Sequence, residues 1–515
     1  MTFHRLAVCF VLSNLISIAF YEVVKDSFMY LYISVSLILF LILSLFMFKK
    51  SRKVVFVLFL GLALAIFQNT YAYFKYEDSA ARLVKNNAVV YGTVQSVAES
   101  DGKTMINVKT KEVNGEKTDI HVSCCVTDGR ALSGIEEGSI VKILADLSLN
   151  ESGDFVSDSF IRASKSFLFG NVKKIAVLEV RKSPFFFVES VRDALAKILD
   201  KSEYSHISKA AILGDRSGLS PEFKEAARRV GASHILAISG MHFVLIVVSV
   251  YNALQFLSLD YRINYVFIIF FCLFYMVLTG LSASVVRAGI MLIVSFFSMI
   301  FKRRRDSVTS LFFSVFFICL INKYAIFDAG LLLSFLACLG IIIFSKKVFG
   351  PFFIKINELL FYERKIYKKA AVYVFKFIAE QLSLSFSATV FTLPAILIFF
   401  GEFSVFSVFY NVVLAALFTV AMTLSLITLL LSFAANVASM HLLLNALSDV
   451  CGFFYFLFEK CIYFFSEINL GIFGENDPFS LYLLIFVLVI SMLFVDTMRK
   501  RSINSDQTIE KFYKL

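Results

Sequence analysis

Long runs of apolar residues fill two parts of the chain, where only short polar stretches interrupt them. The first part holds runs at residues 6–20, 28–48 and 54–74, and the second extends from about residue 234 to residue 495. Because a helix needs roughly 20 apolar residues to cross the hydrocarbon core, the pattern predicts a polytopic α-helical membrane protein with about twelve spans. The mean hydropathy of +0.78 over 515 residues agrees with this class and excludes an ordinary soluble domain.

A different pattern separates the two apolar parts. The segments AVVYGTVQSVAES, TMINVKTKEV, DIHVSCCVTD and GSIVKILADLSL alternate apolar with polar residues, and polar turns lie between them. Alternation with a period of two is typical of half-buried strands. About 100 residues of this kind predict a small closed barrel of about five strands, as in the OB-fold.

Two amphipathic helices are expected after the barrel. In SPFFFVESVRDALAKIL the apolar residues recur at helical spacing and Arg192 and Lys197 face away, which favours a helix in the membrane interface. In LSPEFKEAARRVG, Ser220 is the expected N-cap, Pro221 takes the first helical position, and Gly231 ends the helix.

Basic residues in short loops predict the orientation of the chain. Clusters of Lys and Arg lie at residues 49–53, 302–305 and 499–501, and alternate counting from a cytoplasmic N-terminus puts all three inside. We therefore expect both termini in the cytoplasm and the barrel outside the cytoplasmic membrane. These clusters also explain part of the net charge of +11, which is accordingly weak support for a nucleic-acid partner.

The predicted organisation has five parts. They are a three-span membrane region (1–80), the extracytoplasmic OB-like domain (81–182), the extracytoplasmic amphipathic helices (183–232), a transmembrane domain (233–497) and a basic cytoplasmic tail (498–515).

The stretch SHILAISGMH opens the second apolar part and carries two of the six histidines. If it is helical, Ser233, Ala237 and Gly240 share one face, which either packs closely against another helix or lines a passage. His234 and His242 are two turns apart, about 12 Å along the axis, so one zinc ion cannot bridge them without other helices. No metal or cofactor is expected here.

A catalytic interpretation of the same stretch stays open. The residues AISG resemble the Gly-x-Ser-Gly of rhomboid intramembrane proteases, with Ala237 in place of the first glycine and Ser239 as the nucleophile. The one histidine in a later span is His441, and its surroundings give no further support.

Polar residues inside later apolar runs are further candidates. In LTGLSASVVRAGIM, Gly280, Ser284, Arg287 and Met291 would fall on one helical face, and Arg287 either faces the bundle interior or snorkels to the surface. Asp328 is the expected counter-charge for Arg287. Further along, Pro394 is expected to interrupt an apolar helix and Asn411 to bond between helices.

Four stretches in order resemble the ComEC family, which forms the inner-membrane DNA channel of natural transformation. They are ILGDRSGLSPEFKEAARRVGASHILAISGMHFVLI, GLSASVVRAGIM, DAGLLLSFLACLGI and TLPAILIFFGEFSVFSVFYN. The resemblance covers about residues 81–420 and includes the OB-like insert. It implies that the chain moves one strand of incoming DNA across the cytoplasmic membrane.

The resemblance also implies a DNA path and partners. Arg216, Arg228 and Arg229 would stand at the outer mouth. The rest of the path would include Ser233, His234, Ala237, Ser239, Gly240, His242, Ser284, Arg287, Asp328 and Asn411. No Gly-x-x-x-x-Gly-Lys-Ser/Thr loop occurs, so an ATP-driven motor would be another protein. Expected partners besides single-stranded DNA and membrane lipid are a cytoplasmic helicase-type motor or single-strand-binding protein, and an extracytoplasmic DNA receptor or uptake pilus.

Many family members carry a C-terminal metallo-β-lactamase-like domain with a His-x-His-x-Asp-His motif. This sequence ends in RKRSINSDQTIEKFYKL and has six scattered histidines, so it resembles the form without that domain and is expected not to be an enzyme. The alternatives are a small-solute or lipid-linked precursor transporter, which predicts internal repeats and mid-membrane ionisable residues, and the serine protease.

Overall fold

The computed structural model describes residues 3–24, 52–100, 103–126, 138–150, 161, 163–180, 186–200, 202–236, 238–255, 260–303, 306–349, 356, 366–434, 441–468 and 472–474. The chain divides into two compact units. The first comprises Met1–Gly218, Leu236–Phe335 and Thr419–Phe453, and the second comprises Leu219–Ile235, Leu336–Phe418 and Phe454–Leu515.

Helices dominate the described residues. In chain order they are α1 (Phe3–Val24), α2 (Arg52–Ala72), α3 (Ser79–Leu83), α4 (Phe186–Leu199), α5 (Ser205–Leu213), α6 (Pro221–Val230), α7 (Ser233–Leu236), α8 (Gly240–Gln255), α9 (Tyr261–Leu278), α10 (Ala283–Ile300), α11 (Ser307–Ile321), α12 (Ala329–Gly340), α13 (Ile366–Phe400), α14 (Ser407–Ala434) and α15 (His441–Glu467). The segments Tyr73–Asp78 and Ile341–Phe349 are π-helical, and Lys323–Phe327 is a 3₁₀ turn.

Six helical segments within the described residues are long and apolar enough to cross a membrane. They are Phe56–Leu83, Ser233–Gln255, Tyr261–Leu278, Ala283–Ile300, Ala370–Phe400 and Ser407–Ser432. The chain is therefore a multi-pass membrane protein, as predicted. The predicted span at residues 28–48 and the last predicted span lie outside the described residues, so the number of about twelve spans stays a prediction.

Six strands between α3 and α4 form the predicted barrel. They are β1 (Ala88–Ser100), β2 (Lys103–Val113), β3 (Glu116–Lys117), β4 (His121–Val126), β5 (Ser139–Leu149) and β6 (Leu168–Val180). Strand pairing runs β1–β2–β4–β6–β5 and returns to β1, so these five strands form a closed barrel. The short strand β3 pairs with β2 at the edge of this barrel. All these pairs are antiparallel except β4–β6, which is parallel. Fully buried Val90, Ile106, Val108, Ile143 and Leu168 fill the interior.

A buried ion pair joins the 3₁₀ turn to the π-helical segment below the barrel. The Lys323 ammonium lies 3.8 Å from the Glu77 carboxylate and 4.4 Å from the centre of the Tyr324 ring. The Tyr324 hydroxyl donates to the same carboxylate. The Tyr324 ring packs edge-on against Phe167, the residue that precedes β6. The Asn322 amide also donates to the backbone before β6. Lys323 is only 5% exposed, so its charge is buried at a cost in free energy. The contacts with Glu77 and Tyr324 offset that cost.

Local sequence signals fix several helix boundaries. The Ser220 hydroxyl accepts a hydrogen bond from the backbone of Phe223, and Gly231 ends α6 with φ of 77°, so the predicted cap and stop of this helix are confirmed. Helix α4 confirms the first amphipathic helix. Pro394 lies inside α13 without ending it, so the predicted interruption is wrong: the helix continues to Phe400.

A close approach of α1 and α2 holds the N-terminal helices together. A Cβ atom added at Gly61 would lie 2.5 Å from the Phe10 carbonyl oxygen, which is closer than any side chain tolerates. The buried Asn14 amide donates to the Gly61 carbonyl and to the Gln68 side chain. A small residue and a buried amide bond are typical of helix contacts in lipid, where apolar burial drives association weakly.

We expect Gly61→Ala to lower the stability of the purified chain by about 1–3 kcal/mol, because the added methyl group forces α1 and α2 apart. Gly452→Ala is the matched control: its added methyl group would lie 3.8 Å from Tyr204, and alanine favours helix over glycine by roughly 0.5–1 kcal/mol. Thermal unfolding in detergent should therefore show a lower midpoint for the first variant and an equal or higher midpoint for the second. Equal midpoints for the two variants would contradict the close approach.

Candidate functional site

The stretch SHILAISGMH contains a break between two helices. Helix α7 ends at Leu236 and α8 begins at Gly240, while Ile238 and Ser239 are not helical. The predicted continuous helix through this stretch is therefore wrong, and with it the common face of Ser233 and Gly240. Ala237 lies outside the described residues.

Ser239 is the N-cap of α8. Its hydroxyl oxygen accepts the backbone N–H of His242 at 3.3 Å, and the His242 Nδ1 accepts the backbone N–H of Ser239 at the same distance. This reciprocal pair has the geometry of a capping box with histidine at the third helical position. An accepting Nδ1 carries no proton, so the bond requires a neutral imidazole with its proton on Nε2.

The cap gives Ser239 a structural role. Among the described residues, the Ser239 hydroxyl bonds to the His242 main chain and not to the imidazole ring. A general base must reach the proton that it removes, and the His242 Nδ1 is occupied by a backbone N–H instead. The same two polar side chains that suggest chemistry in the sequence thus satisfy backbone groups at a helix start.

Arg287 is buried where α8, α10 and α12 meet. It is 4% exposed, so the bundle-interior alternative is confirmed and surface snorkelling is excluded. Its Nε donates to the Ser334 hydroxyl on α12 at 2.9 Å, and its Nη1 lies 3.3 Å from the Met291 sulfur one turn along α10. A Cβ atom at Gly240 would lie 2.6 Å from Nη2, so the guanidinium packs directly against the start of α8 and a side chain at position 240 would displace it.

Asp328 does not act as the predicted counter-charge. Its carboxylate accepts the backbone N–H of Leu331 at 2.7 Å and so caps the start of α12, and the described residues show no ion pair between this carboxylate and Arg287. Beside it, the Ser284 hydroxyl lies 3.4 Å from the Gly330 carbonyl oxygen. An N-cap carboxylate is stabilised by the free N–H groups and the dipole of its own helix, which explains this choice of partner.

The predicted face of α10 is correct only in part. Arg287 contacts Met291 on the helix, and Ser284 also belongs to it. Gly280 precedes α10 and has φ of 78°, so it belongs to the turn after α9 and not to this face. A left-handed backbone conformation favours glycine, which accounts for that residue in structural terms.

In the second unit, Arg228 and Arg229 lie in the last turn of α6 and form exposed ion pairs. The Arg228 guanidinium binds Glu225 at 2.9 Å and Glu402 at 3.3 Å, and Arg229 binds Glu225 at 3.2 Å. Hydrogen bonds from Arg228, and then from Arg229, lower the pKa of Glu225 to about 2. Because this pKa is depressed, the stabilisation is complete above about pH 4.3, the usual pKa of a Glu carboxyl, and is lost only as the pH falls towards 2.

The remaining candidates are dispersed. Arg216 is exposed in the turn after α5, and Ser233 and His234 are exposed on α7, where the His234 Nδ1 lies 3.1 Å from the Gly231 carbonyl oxygen. Asn411 on α14 has a buried amide oxygen without a hydrogen-bond partner among the described residues. The predicted interhelical bond of Asn411 stays a prediction.

No group of three or more His, Cys, Asp or Glu side chains in the described ranges lies close enough together to hold a metal ion. The first unit has a helix cap at Ser239 and the buried Arg287 guanidinium, and the second unit has exposed arginine–carboxylate pairs.

Comparisons with known proteins point to one family. Residues 211–500, more than half of the chain, match the Competence protein family. The chain is also 26% identical over 246 residues to ComE operon protein 3 of Bacillus subtilis (strain 168). This alignment covers 48% of the chain but only 28% of that relative. No solved structure matches the chain.

The contact of Gly240 with Arg287 can be tested with two variants, one that adds a methyl group at position 240 and one that removes a guanidinium nitrogen at position 287. We expect Gly240→Ala to destabilise the protein by about 1–3 kcal/mol, because the added methyl group overlaps Nη2. Arg287→Lys removes that nitrogen, so Gly240→Ala combined with Arg287→Lys should be little less stable than Arg287→Lys alone. Thermal unfolding of the wild type, both single variants and the double variant gives the coupling energy of the cycle. Additive losses would contradict the contact.

Proposed function

Because this chain belongs to the Competence protein family, we propose that it is the channel through which one strand of incoming DNA crosses the cytoplasmic membrane during natural transformation. The observation that carries the proposal is that the family match spans the helices around the buried Arg287. We further propose that both termini are cytoplasmic and that the barrel lies outside, since the basic loop clusters favour this orientation.

The chemistry of the candidate residues supports passage of a phosphate backbone. A single strand crossing a bilayer needs fixed positive charge for its phosphates and surfaces that do not trap its bases. In the first unit, Arg287 supplies a permanent charge that Ser334 and Gly240 hold in place. In the second unit, Arg228 and Arg229 supply exposed charge whose partners are surface carboxylates.

The proposed activity is transport without catalysis. Ser239 acts as a helix cap in this scheme, and the energy for movement comes from another protein, a cytoplasmic helicase-type motor or single-strand-binding protein. An extracytoplasmic DNA receptor or uptake pilus would deliver the strand. Both kinds of partner are inferred from the resemblance to the family and from the missing nucleotide-binding loop.

The proposal is tested by following labelled DNA into the cytoplasm of competent cells and counting transformants. We expect cells without the protein to lose both signals. Ser239→Asn should retain them, because asparagine is an equally good N-cap, whereas Ser239→Ala should reduce them in proportion to a loss of about 0.5–2 kcal/mol of stability.

The serine variants separate the two classes of function. A nucleophilic serine predicts that Ser239→Asn is as inactive as Ser239→Ala, since neither carries a hydroxyl group. Normal transformation in cells lacking the protein would remove the channel assignment altogether. Normal DNA entry with loss of uptake of a small solute would favour the solute transporter instead.

Releasing Arg229 from its carboxylate should strengthen DNA binding. Glu225 is the ion-pair partner of Arg229 among the described residues, so Glu225→Gln frees its guanidinium for phosphate. Since each phosphate contact to a single strand adds about 0.7 to the slope of log K against log salt, we expect that slope to steepen by about this amount per freed arginine.

Glu222→Gln is the matched control for this measurement. It removes the same charge from the first turn of α6, and Glu222 has no ion pair in the described part of the chain. A fluorescent oligonucleotide titrated against the full chain in lipid nanodiscs at several salt concentrations gives both slopes. Equal changes in the two variants would show that net charge alone matters and that Arg229 makes no phosphate contact.

A further inference from the structure

Three lysines converge where α2 and the π-helical segment Tyr73–Asp78 meet the barrel. The ammonium groups of Lys75 and Lys165 lie 5.2 and 5.4 Å from the centre of the Tyr76 ring. Lys75 and Lys109 both contact the Asp119 carboxylate, at 3.5 and 3.2 Å. We call these five residues the basic junction. They come from a candidate membrane span, from β2, and from the backbone just before β4 and β6.

The basic junction carries excess positive charge. Two of the three ammonium groups, those of Lys75 and Lys109, contact Asp119, and in the described part of the chain this is the one carboxylate that pairs with any of the three. The neighbouring carboxylates have their own cations: Glu77 contacts Lys323, and Asp78 contacts Arg82. They therefore do not neutralise the three lysines.

The positive charges of the basic junction affect the pKa of one neighbouring histidine. His121 begins β4 beside the basic junction, and its pKa is lowered by burial and then by the charges of Lys109 and Lys165. A lowered pKa keeps this histidine neutral at pH 7. The imidazole thus adds no charge, and the excess comes from the lysines alone.

Exposed aromatic side chains lie just before the basic junction on the same candidate span. Phe67, Tyr71 and Phe74 are 68%, 55% and 60% exposed, and the rings of Phe67 and Tyr71 stack at 6.4 Å. Tyr73 is exposed beside them. Aromatic residues at the end of a span are typical of the headgroup level, with apolar rings towards the acyl chains.

We propose that the basic junction binds the phosphate group of an anionic phospholipid whose acyl chains lie along Phe67, Tyr71 and Phe74. A lipid fits better than a free phosphate ion because the charged cluster continues directly into an exposed apolar surface on a membrane span. It fits better than DNA because that surface would remain uncovered beside a DNA backbone. The bound lipid would join the span to the barrel, since its phosphate contacts lysines from both.

The test uses the full purified chain in detergent, titrated with phosphatidylglycerol or with uncharged phosphatidylcholine. A lipid that binds only the folded protein raises the midpoint of thermal unfolding, and the rise against concentration gives its affinity. We expect phosphatidylglycerol to bind more tightly than phosphatidylcholine. Each lysine near a membrane surface contributes about fivefold to affinity for anionic lipid, so Lys75→Gln, Lys109→Gln and Lys165→Gln together should weaken phosphatidylglycerol binding by about 100-fold.

The matched control replaces Lys111, Lys117 and Lys142 by Gln. These three lysines are exposed on the barrel and form no ion pair in the described residues, so their loss removes the same charge away from the basic junction. Phosphatidylglycerol affinity should stay within about fivefold of the wild type, the contribution of a single lysine. Replacement of the three junction lysines by Arg should also retain binding, because the charge remains.

Several results would overturn the proposal. They are equal losses in the two glutamine triples, stabilisation of the same size by inorganic phosphate, and displacement of phosphatidylglycerol by a short single-stranded oligonucleotide. If the glutamine triple at the basic junction does not fold, the single variant Lys165→Gln is measured instead. Lys165 has no ion pair among the described residues, so this change breaks none of them. An unchanged phosphatidylglycerol affinity in this variant would refute the site. The measurement does not involve DNA uptake and is independent of the proposed channel function.

Discussion

The burial of one guanidinium in an apolar helix bundle constrains the centre of the first unit. A buried charge costs several kcal/mol unless hydrogen bonds and close packing offset that cost. Arg287 meets the condition through three helices: Ser334 accepts from Nε, Met291 contacts Nη1, and Gly240 leaves room for Nη2. The guanidinium therefore fixes which residues can stand at the start of α8 and on the facing side of α12. The interruption before α8 belongs to the same arrangement, because it brings Gly240, and not a longer side chain, against the charge.

The sequence predicts those parts of the fold whose signals are local. Helix α6 has its cap, proline and glycine within a dozen residues, and the structure agrees with them. Alternating segments predict the barrel, but β6 is missed because its segment LFGNVKKIAVLEV does not alternate strictly between apolar and polar residues. The break at Ser239 is missed because apolar residues flank it on both sides. A serine followed three residues later by a side-chain acceptor is the available signal, although the usual acceptor is Glu or Gln and not His242.

The charged candidates show where sequence reasoning identifies a residue and mistakes its partner. Arg287 is recognisable as an interior charge because apolar residues surround it on both sides. Asp328 is chosen as its partner because the predicted topology places both residues towards the outer side. An aspartate just before an apolar helix is equally a cap, and the structure has the cap. For Arg229, the carboxylate of Glu225 four residues earlier on the same helix could have been identified from spacing alone. The ion pair of Arg228 with Glu402 could not, because 174 residues separate them.

The two kinds of arginine differ in how easily their partners can change. Exposed pairs such as Arg229 with Glu225 contribute about 0–1 kcal/mol, since water and salt compete for both groups. A phosphate can therefore replace the carboxylate at little cost, and the arginine can return to it when the phosphate leaves. Arg287 has no such freedom, because any movement would leave its charge buried without Ser334. If DNA passes through the protein, exchange of partners is thus a property of the surface arginines of the second unit, while the first unit contributes a charge that stays in place. A strand bound only by exchangeable charges can advance one phosphate at a time without a large barrier.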